Sequence, residues 1–334
     1  MNNELGKLLA GFLTLTMLSG CGIDQGGSPQ ELTTQTLVVY GPITDFGSVV
    51  VNGERLDTTG ATITSDGNIA SEADLRQGQI VRVVGTARGT SRTALTVEYQ
   101  ENVRGDIATI DAIAGTLQVL NQTVQTSAAT RFDIGQGGTL SDLSVGMRVE
   151  ISAIQAPDGT LHARYVGSAA AQPLEVTGSI DSVDIGTQTF TLGSLTVDYS
   201  QTNLLDVPGG IPAVGVIAEI EATQFVNGVL VAEFVRDLET EPGLFSASDT
   251  DTGSSALAPA SASSAAGLNS SFLGFINATN LPDGFSVADV QVTLEPSTTI
   301  TGGGVNDLQV GRLVLVAGPV PGVGTVTANE ITIF

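Results

Sequence analysis

Leu75-Arg76-Gln77-Gly78-Gln79-Ile80-Val81-Arg82-Val83 is the phrase that decides the fold, because the chain says it four times. It returns as Leu143-Ser144-Val145-Gly146-Met147-Arg148-Val149-Glu150-Ile151. The third copy is Pro212-Ala213-Val214-Gly215-Val216-Ile217-Ala218-Glu219-Ile220, and the fourth is Leu308-Gln309-Val310-Gly311-Arg312-Leu313-Val314-Leu315. An apolar residue, two variable ones, a glycine and then alternating apolar positions read as a turn that opens a strand. Repetition at this period means that one structural unit recurs.

The words around the phrase also recur. Upstream stands a Gly-x-Ile opening: Gly41-Pro42-Ile43, Gly105-Asp106-Ile107, Gly178-Ser179-Ile180 and Gly274-Phe275-Ile276. A polar turn and a second strand follow, then a Thr-containing segment at Thr62, Thr130, Thr202 and Thr298. Each copy ends on a closing strand, such as Ala94-Leu95-Thr96-Val97-Glu98-Tyr99 or Leu161-His162-Ala163-Arg164-Tyr165-Val166. The opening glycines lie 64, 73 and 96 residues apart. The last gap holds a Ser- and Ala-rich insert with too little apolar content for a core, which reads as a linker. Five or six short strands per copy, with no helical periodicity, predict an all-β fold. A unit this small must hide its strand edges, so the expectation is four tandem OB-like β-barrels, each closed on itself. A single large β-sandwich is the rival, and the repetition argues against it. Gly146→Val is therefore expected to unfold the second unit and spare the others.

The amino terminus is of another kind. Lys7 is followed by the apolar run Leu8 to Leu18, too short to span a bilayer, and then by Ser19-Gly20-Cys21. This resembles a bacterial lipobox, which implies cleavage before Cys21 and acylation of its thiol. The organisation read from the sequence is a signal peptide at 1–20, a lipidated Cys21 and tether at 21–37, and β-barrel repeats at 38–101, 102–168, 174–238 and 271–334. The flexible linker occupies 239–270. Gly22 in place of Asp after the cysteine implies, by resemblance to Gram-negative sorting, an outer-membrane anchor facing the periplasm. Cys21 is the only cysteine, so no disulfide can help the cores.

Composition narrows the function classes. The formal net charge is −23, and Lys7 is the only lysine. Such a chain repels nucleic acid. Tryptophan is absent, which argues against a sugar-stacking platform. His162 is the only histidine, read as a surface residue on a closing strand; a Ser-His-Asp triad or a Cys/His zinc site has nothing else to draw on. Asp249-Thr250-Asp251-Thr252-Gly253 opens like a calcium loop but lacks the third ligand and the distal Glu. Asp181 and Asp184 suit a turn. Glu219 and Glu221 alternate along a strand and are expected to face solvent. Arg76, Arg82, Arg88 and Arg92 gather around the first copy and are expected to balance acids such as Glu72 and Asp74.

The Gly-x-Ile opening, the Leu-x-x-Gly phrase and the Ala-containing closing strand resemble a bacterial family catalogued as domain of unknown function 5666. The resemblance covers nearly all of residues 38–334 and is clearest in the first two copies. Pro212 and the Gly302-Gly303-Gly304 run depart from the pattern. The family's motifs are structural, so it implies a fold and supplies no catalytic residues. The expectation is a non-enzymatic, lipid-anchored envelope protein that binds or scaffolds. It would be held to the membrane through Cys21, with an envelope protein as possible partner and no cofactor. The alternative is a lipoprotein that binds a cation or an oligosaccharide through its acidic C-terminal half.

Overall fold

The computed structural model describes residues 34–135, 138–169, 173–205, 207–238, 270–288, 290–320 and 324–334. The signal segment, Cys21, the tether up to Thr33 and residues 239–269 of the linker lie outside them; Ser270 already belongs to a strand of the fourth repeat. The described residues are all-β: strands joined by turns and by short 3-10 turns, with no α-helix. Among them, no helix is long and apolar enough to cross a membrane.

The repeated words turn out to be hydrogen-bonded to one another. In every repeat the N–H of the Leu-x-x-Gly glycine donates to the carbonyl of the Gly-x-Ile isoleucine. The pairs are Gly78 to Ile43, Gly146 to Ile107, Gly215 to Ile180 and Gly311 to Ile276, each at 2.8 Å. The isoleucine N–H answers at 2.8–2.9 Å, to the residue after that glycine in each copy. The four glycines have φ of +93°, +85°, +88° and +85°, which only glycine adopts without strain. The four isoleucines are fully buried. The opening glycines are there for space instead. A Cβ at Gly41, Gly105, Gly178 or Gly274 would stand 2.4–3.0 Å from Asn52, Leu120, Leu192 or Val287, which all come from the hairpin that follows the opening strand. Thr130, Thr202 and Thr298 donate to the carbonyls of Ala163, Ala232 and Ala328 at 2.7–2.8 Å. This fixes the Thr-containing segment to the closing strand, whose alanines are buried in all four copies.

The opening strands are Gln35–Asp45, Val103–Asp111, Leu174–Ser179 and Ser270–Asn280. Each pairs antiparallel with the strand after Leu-x-x-Gly: Ile80–Arg88, Arg148–Gln155, Ile217–Val226 and Leu313–Gly318. Those strands pair antiparallel with the closing strands Ser91–Tyr99, Leu161–Ser168, Val229–Asp237 and Thr325–Ile333. The closing strands in turn run parallel to the Thr-region strands.

Four separate OB-like barrels are not what forms. The strands merge into two continuous sheets, one of 12 strands from repeats 1 and 4 and one of 13 from repeats 2 and 3. The physical reason is the opening strand. Its first half is covered by its own repeat along one edge only. The other edge pairs across repeats: Val39 and Tyr40 lie parallel to Ser271 and Phe272, and Val103 and Arg104 lie antiparallel to Val176 and Glu175. A strand edge left bare is a liability, and here a neighbouring copy covers it. The cores follow the sheets. One apolar cluster runs unbroken from Val103 to Val235 through repeats 2 and 3. A smaller contact of Ile80, Ile154 and Leu273 joins repeats 1, 2 and 4. The described residues of all four repeats belong to one compact unit.

Merging changes what a local lesion does. No atom lies within 4 Å of a Cβ added at Gly146, so Gly146→Val acts through φ alone, a strain of about 1–3 kcal/mol. Because repeat 2 shares its core and a sheet edge with repeat 3, the damage spreads beyond the second repeat. Hydrogen exchange on the variant should show amides of repeats 2 and 3 losing protection together. Loss confined to residues 103–168 would contradict a merged sheet.

Candidate functional site

The 13-stranded sheet has two faces of opposite character. On one face Val103, Ile151, Val176, Ile220 and Val235 fill the shared core. On the other, one cross-strand row reads Glu150, Arg104, Glu175, Glu221, Phe234, each residue the register partner of the next. A neighbouring row reads Thr177, Glu219, Arg236. Alternation of side chains predicts a solvent-facing polar surface here. Repeat 1 covers the Glu150–Glu175 end of the row instead, and Phe234 at the other end stays exposed. The Ser65–Gly67 turn and Tyr99 of repeat 1 lie over the row: the Glu101 N–H donates to Asp66 Oδ1 at 3.1 Å, and the Tyr99 hydroxyl donates to Glu150 Oε1 at 2.6 Å. Gln79 donates to the same Glu150 oxygen at 3.1 Å.

The result is a buried cluster of acids where three repeats meet. The Arg104 guanidinium stands among three carboxylates. Nη2 is 2.7 Å from Glu101 Oε1 and 3.5 Å from Asp66 Oδ2, and Nη1 is 3.4 Å from Glu175 Oε2. Arg236 Nη1 pairs with Glu219 Oε2 at 2.8 Å. Glu101, Glu175 and Glu219 are 1%, 2% and 3% exposed. Arg104 reaches only one oxygen of each glutamate. Glu101 Oε2, Glu175 Oε1, Glu219 Oε1 and the nearby Thr177 Oγ1 are buried with no hydrogen-bond partner. A shallow cleft lined by Glu219, Glu221, Phe234 and Arg236 opens beside the cluster.

Burial raises these acids above the ordinary carboxylate range. Glu175 is pushed up to about 8, by desolvation first and then by the Asp66 charge, with Arg104 opposing. Glu101 rises well above its usual value, by desolvation and then by Glu175 and Asp66. Asp66 and Glu219 are raised as well, chiefly by desolvation.

The residues singled out by sequence fall elsewhere. Glu219 is buried in this cluster, so the expectation that it faces solvent is corrected; the cover from repeat 1 is the reason. His162 is half-buried and stacks on Phe275 of repeat 4 with ring centroids 4.7 Å apart, an inter-repeat contact and not a free surface position. Arg82 and Arg92 pair with Glu98 and Glu54, acids of the first copy, as expected of them, and Arg76 pairs with Asp133 while its charge also acts on Asp74. Asp74 accepts from the Ser71 N–H and hydroxyl, and Glu72 accepts from Thr58. Asp184 accepts from the N–H groups of Gly186 and Thr187, the turn role expected of it, and Asp181 accepts from Gly193 N–H. Asp249, Asp251 and Cys21 lie outside the described residues. Sequence reading missed Asp66, Glu101, Arg104 and Glu175. A signal was present: Val103-Arg104-Gly105 and Leu174-Glu175-Val176 put opposite charges into opening strands whose counterparts, Leu37-Val38-Val39 and Phe272-Leu273, are apolar.

The fold defines the class: an all-β protein built of tandem repeats. The chain belongs to the family described as domain of unknown function DUF5666, whose model matches residues 40–98, 104–167, 176–236 and 274–332. No curated protein matches the chain.

The raised acids fix a sign for pH dependence. The proton held by Glu175 in the folded chain but released in the unfolded one stabilises fully below the unfolded value of 4.5, and that contribution is lost as pH rises through about 8. In chelator-treated protein, Tm should fall between about pH 5 and about pH 8.5, and Glu175→Gln should flatten the fall. Parallel profiles for the two proteins would contradict the assignment.

Proposed function

We propose that this is a non-catalytic, lipid-anchored envelope protein, a rigid binding or scaffolding module tethered to the outer membrane through Cys21 and facing the periplasm. One observation carries the scaffold reading: the repeats are locked by sheet edges and shared core into one body, which displays the same turn at several positions. That turn, Leu-x-x-Gly, carries an exposed valine in repeats 2, 3 and 4: Val145, Val214 and Val310. Side chains with reactive potential are spent on structure. His162 packs on Phe275, and Arg82 and Arg92 of the first copy are tied to carboxylates. Extended repeat surfaces of this kind suit a protein partner.

The anchor rests on the Leu18-Ser19-Gly20-Cys21 sequence and the polar segment after it. Several acyl chains hold a protein on a bilayer stably, whereas one does not. Exported Cys21→Ala protein should leave the membrane fraction for the soluble one; continued pelleting with membranes would contradict lipid anchoring. For the binding role, crosslinked envelopes should yield a reproducible protein partner. Val145→Ser with Val214→Ser and Val310→Ser should reduce its recovery at least severalfold while Tm stays unchanged. Undiminished recovery would remove these turns from the binding surface.

A further inference from the structure

The buried acids do more than hold three repeats side by side. Asp66, Glu101, Glu175 and Glu219 carry four negative charges when ionised, and Arg104 and Arg236 return two. A deficit of two positive charges is left around glutamates that are only 1–3% exposed. The uncompensated atoms are all oxygens: Glu101 Oε2, Glu175 Oε1, Glu219 Oε1 and Thr177 Oγ1. One ligand oxygen from each of Asp66, Glu101 and Glu175 lies within 4.8 Å of the other two. Oxygens that share a calcium ion at about 2.3–2.6 Å span up to twice that distance, so the spacing fits.

We infer that this junction is a binding site for a calcium-type divalent cation. Asp66, Glu101 and Glu175 are its charged ligands. The donor set contains no nitrogen or sulfur, which suits a hard cation and not zinc or copper. Carboxylates from a turn, a connection and a strand give the adaptable cage that calcium accepts and the strict octahedron of magnesium does not. Arg104 does not block the ion, because it uses Glu101 Oε1 and Glu175 Oε2 and leaves the opposite oxygens free. The ligands come from three places in the chain: Asp66 from the first repeat, Glu101 from the connection to the second, and Glu175 from the opening strand of the third. A bound ion would therefore clamp the first repeat, its connection to the second and the third repeat at one point, and make the stiffness of the body depend on the cation. This site differs from the Asp249–Gly253 sequence in the linker and from the acidic C-terminal half as a whole.

The test uses the full mature chain, freed of metal with chelator and then titrated with Ca2+ alone. Calorimetry should give one ion per chain, and Tm should rise on the order of 5 °C at a hundredfold excess over Kd. Glu175→Gln should lose the heat and the Tm response, yet melt no lower than wild type in chelator, because it removes a buried charge without changing shape. Asp66→Asn, on a turn and less buried, is the second variant and should weaken the response at least tenfold. Absence of heat and of any Tm change in the wild type overturns the inference and leaves the acids held by protons alone. A response that survives in both variants also overturns it, since the ion would then bind elsewhere.

Discussion

The first half of every opening strand has one edge that its own repeat cannot cover, and the architecture follows from how that edge is filled. A bare run of N–H and C=O groups invites pairing with any other chain. Here it is satisfied internally, copy against copy, once in parallel between repeats 1 and 4 and once antiparallel between repeats 2 and 3. The two solutions tie repeats that are distant in sequence as well as adjacent ones. They also explain how domains with no disulfide and few aromatic residues share cores larger than one repeat could build alone. Each ladder bond adds only about 1 kcal/mol net. What the pairing secures is the apolar area that merged sheets bury.

The two edge pairings differ in chemistry. Where repeats 1 and 4 meet, the opening strands bring Val38, Tyr40 and Phe272 together with Ser270 and Ser271, and Ser270 Oγ accepts from the Val38 N–H at 3.0 Å. That junction is apolar with a few neutral hydroxyls. Where repeats 2 and 3 meet, the same positions carry Arg104 and Glu175, and repeat 1 closes over them with further acids. Buried ion pairs are poor sources of stability, because desolvation takes back most of the Coulomb gain. A cluster with more carboxylates than guanidinium groups is poorer still. Its retention in the interior fits a role in fixing register or holding an ion better than a role in stability.

The sequence alone determined the repeat, the strand content and the turn glycines. These depend on local rules: alternation with period two, glycine where φ is positive, and motifs that recur at matching distances. Ile43, Ile107, Ile180 and Ile276 were recognisable as one position before any contact was known, and so were the glycines that bond to them. Tertiary structure alone decided which edges pair and which faces are covered. Glu219 looks solvent-facing on its own strand, and only the Ser65–Gly67 turn of a distant repeat buries it. Arg104 meets Asp66 and Glu175 because register brings together residues 38 and 71 positions away. The separate closed barrel was the natural expectation for a short unit read one copy at a time. An edge's partner is set by the shape and charge of another copy, and no pattern inside a single repeat encodes it.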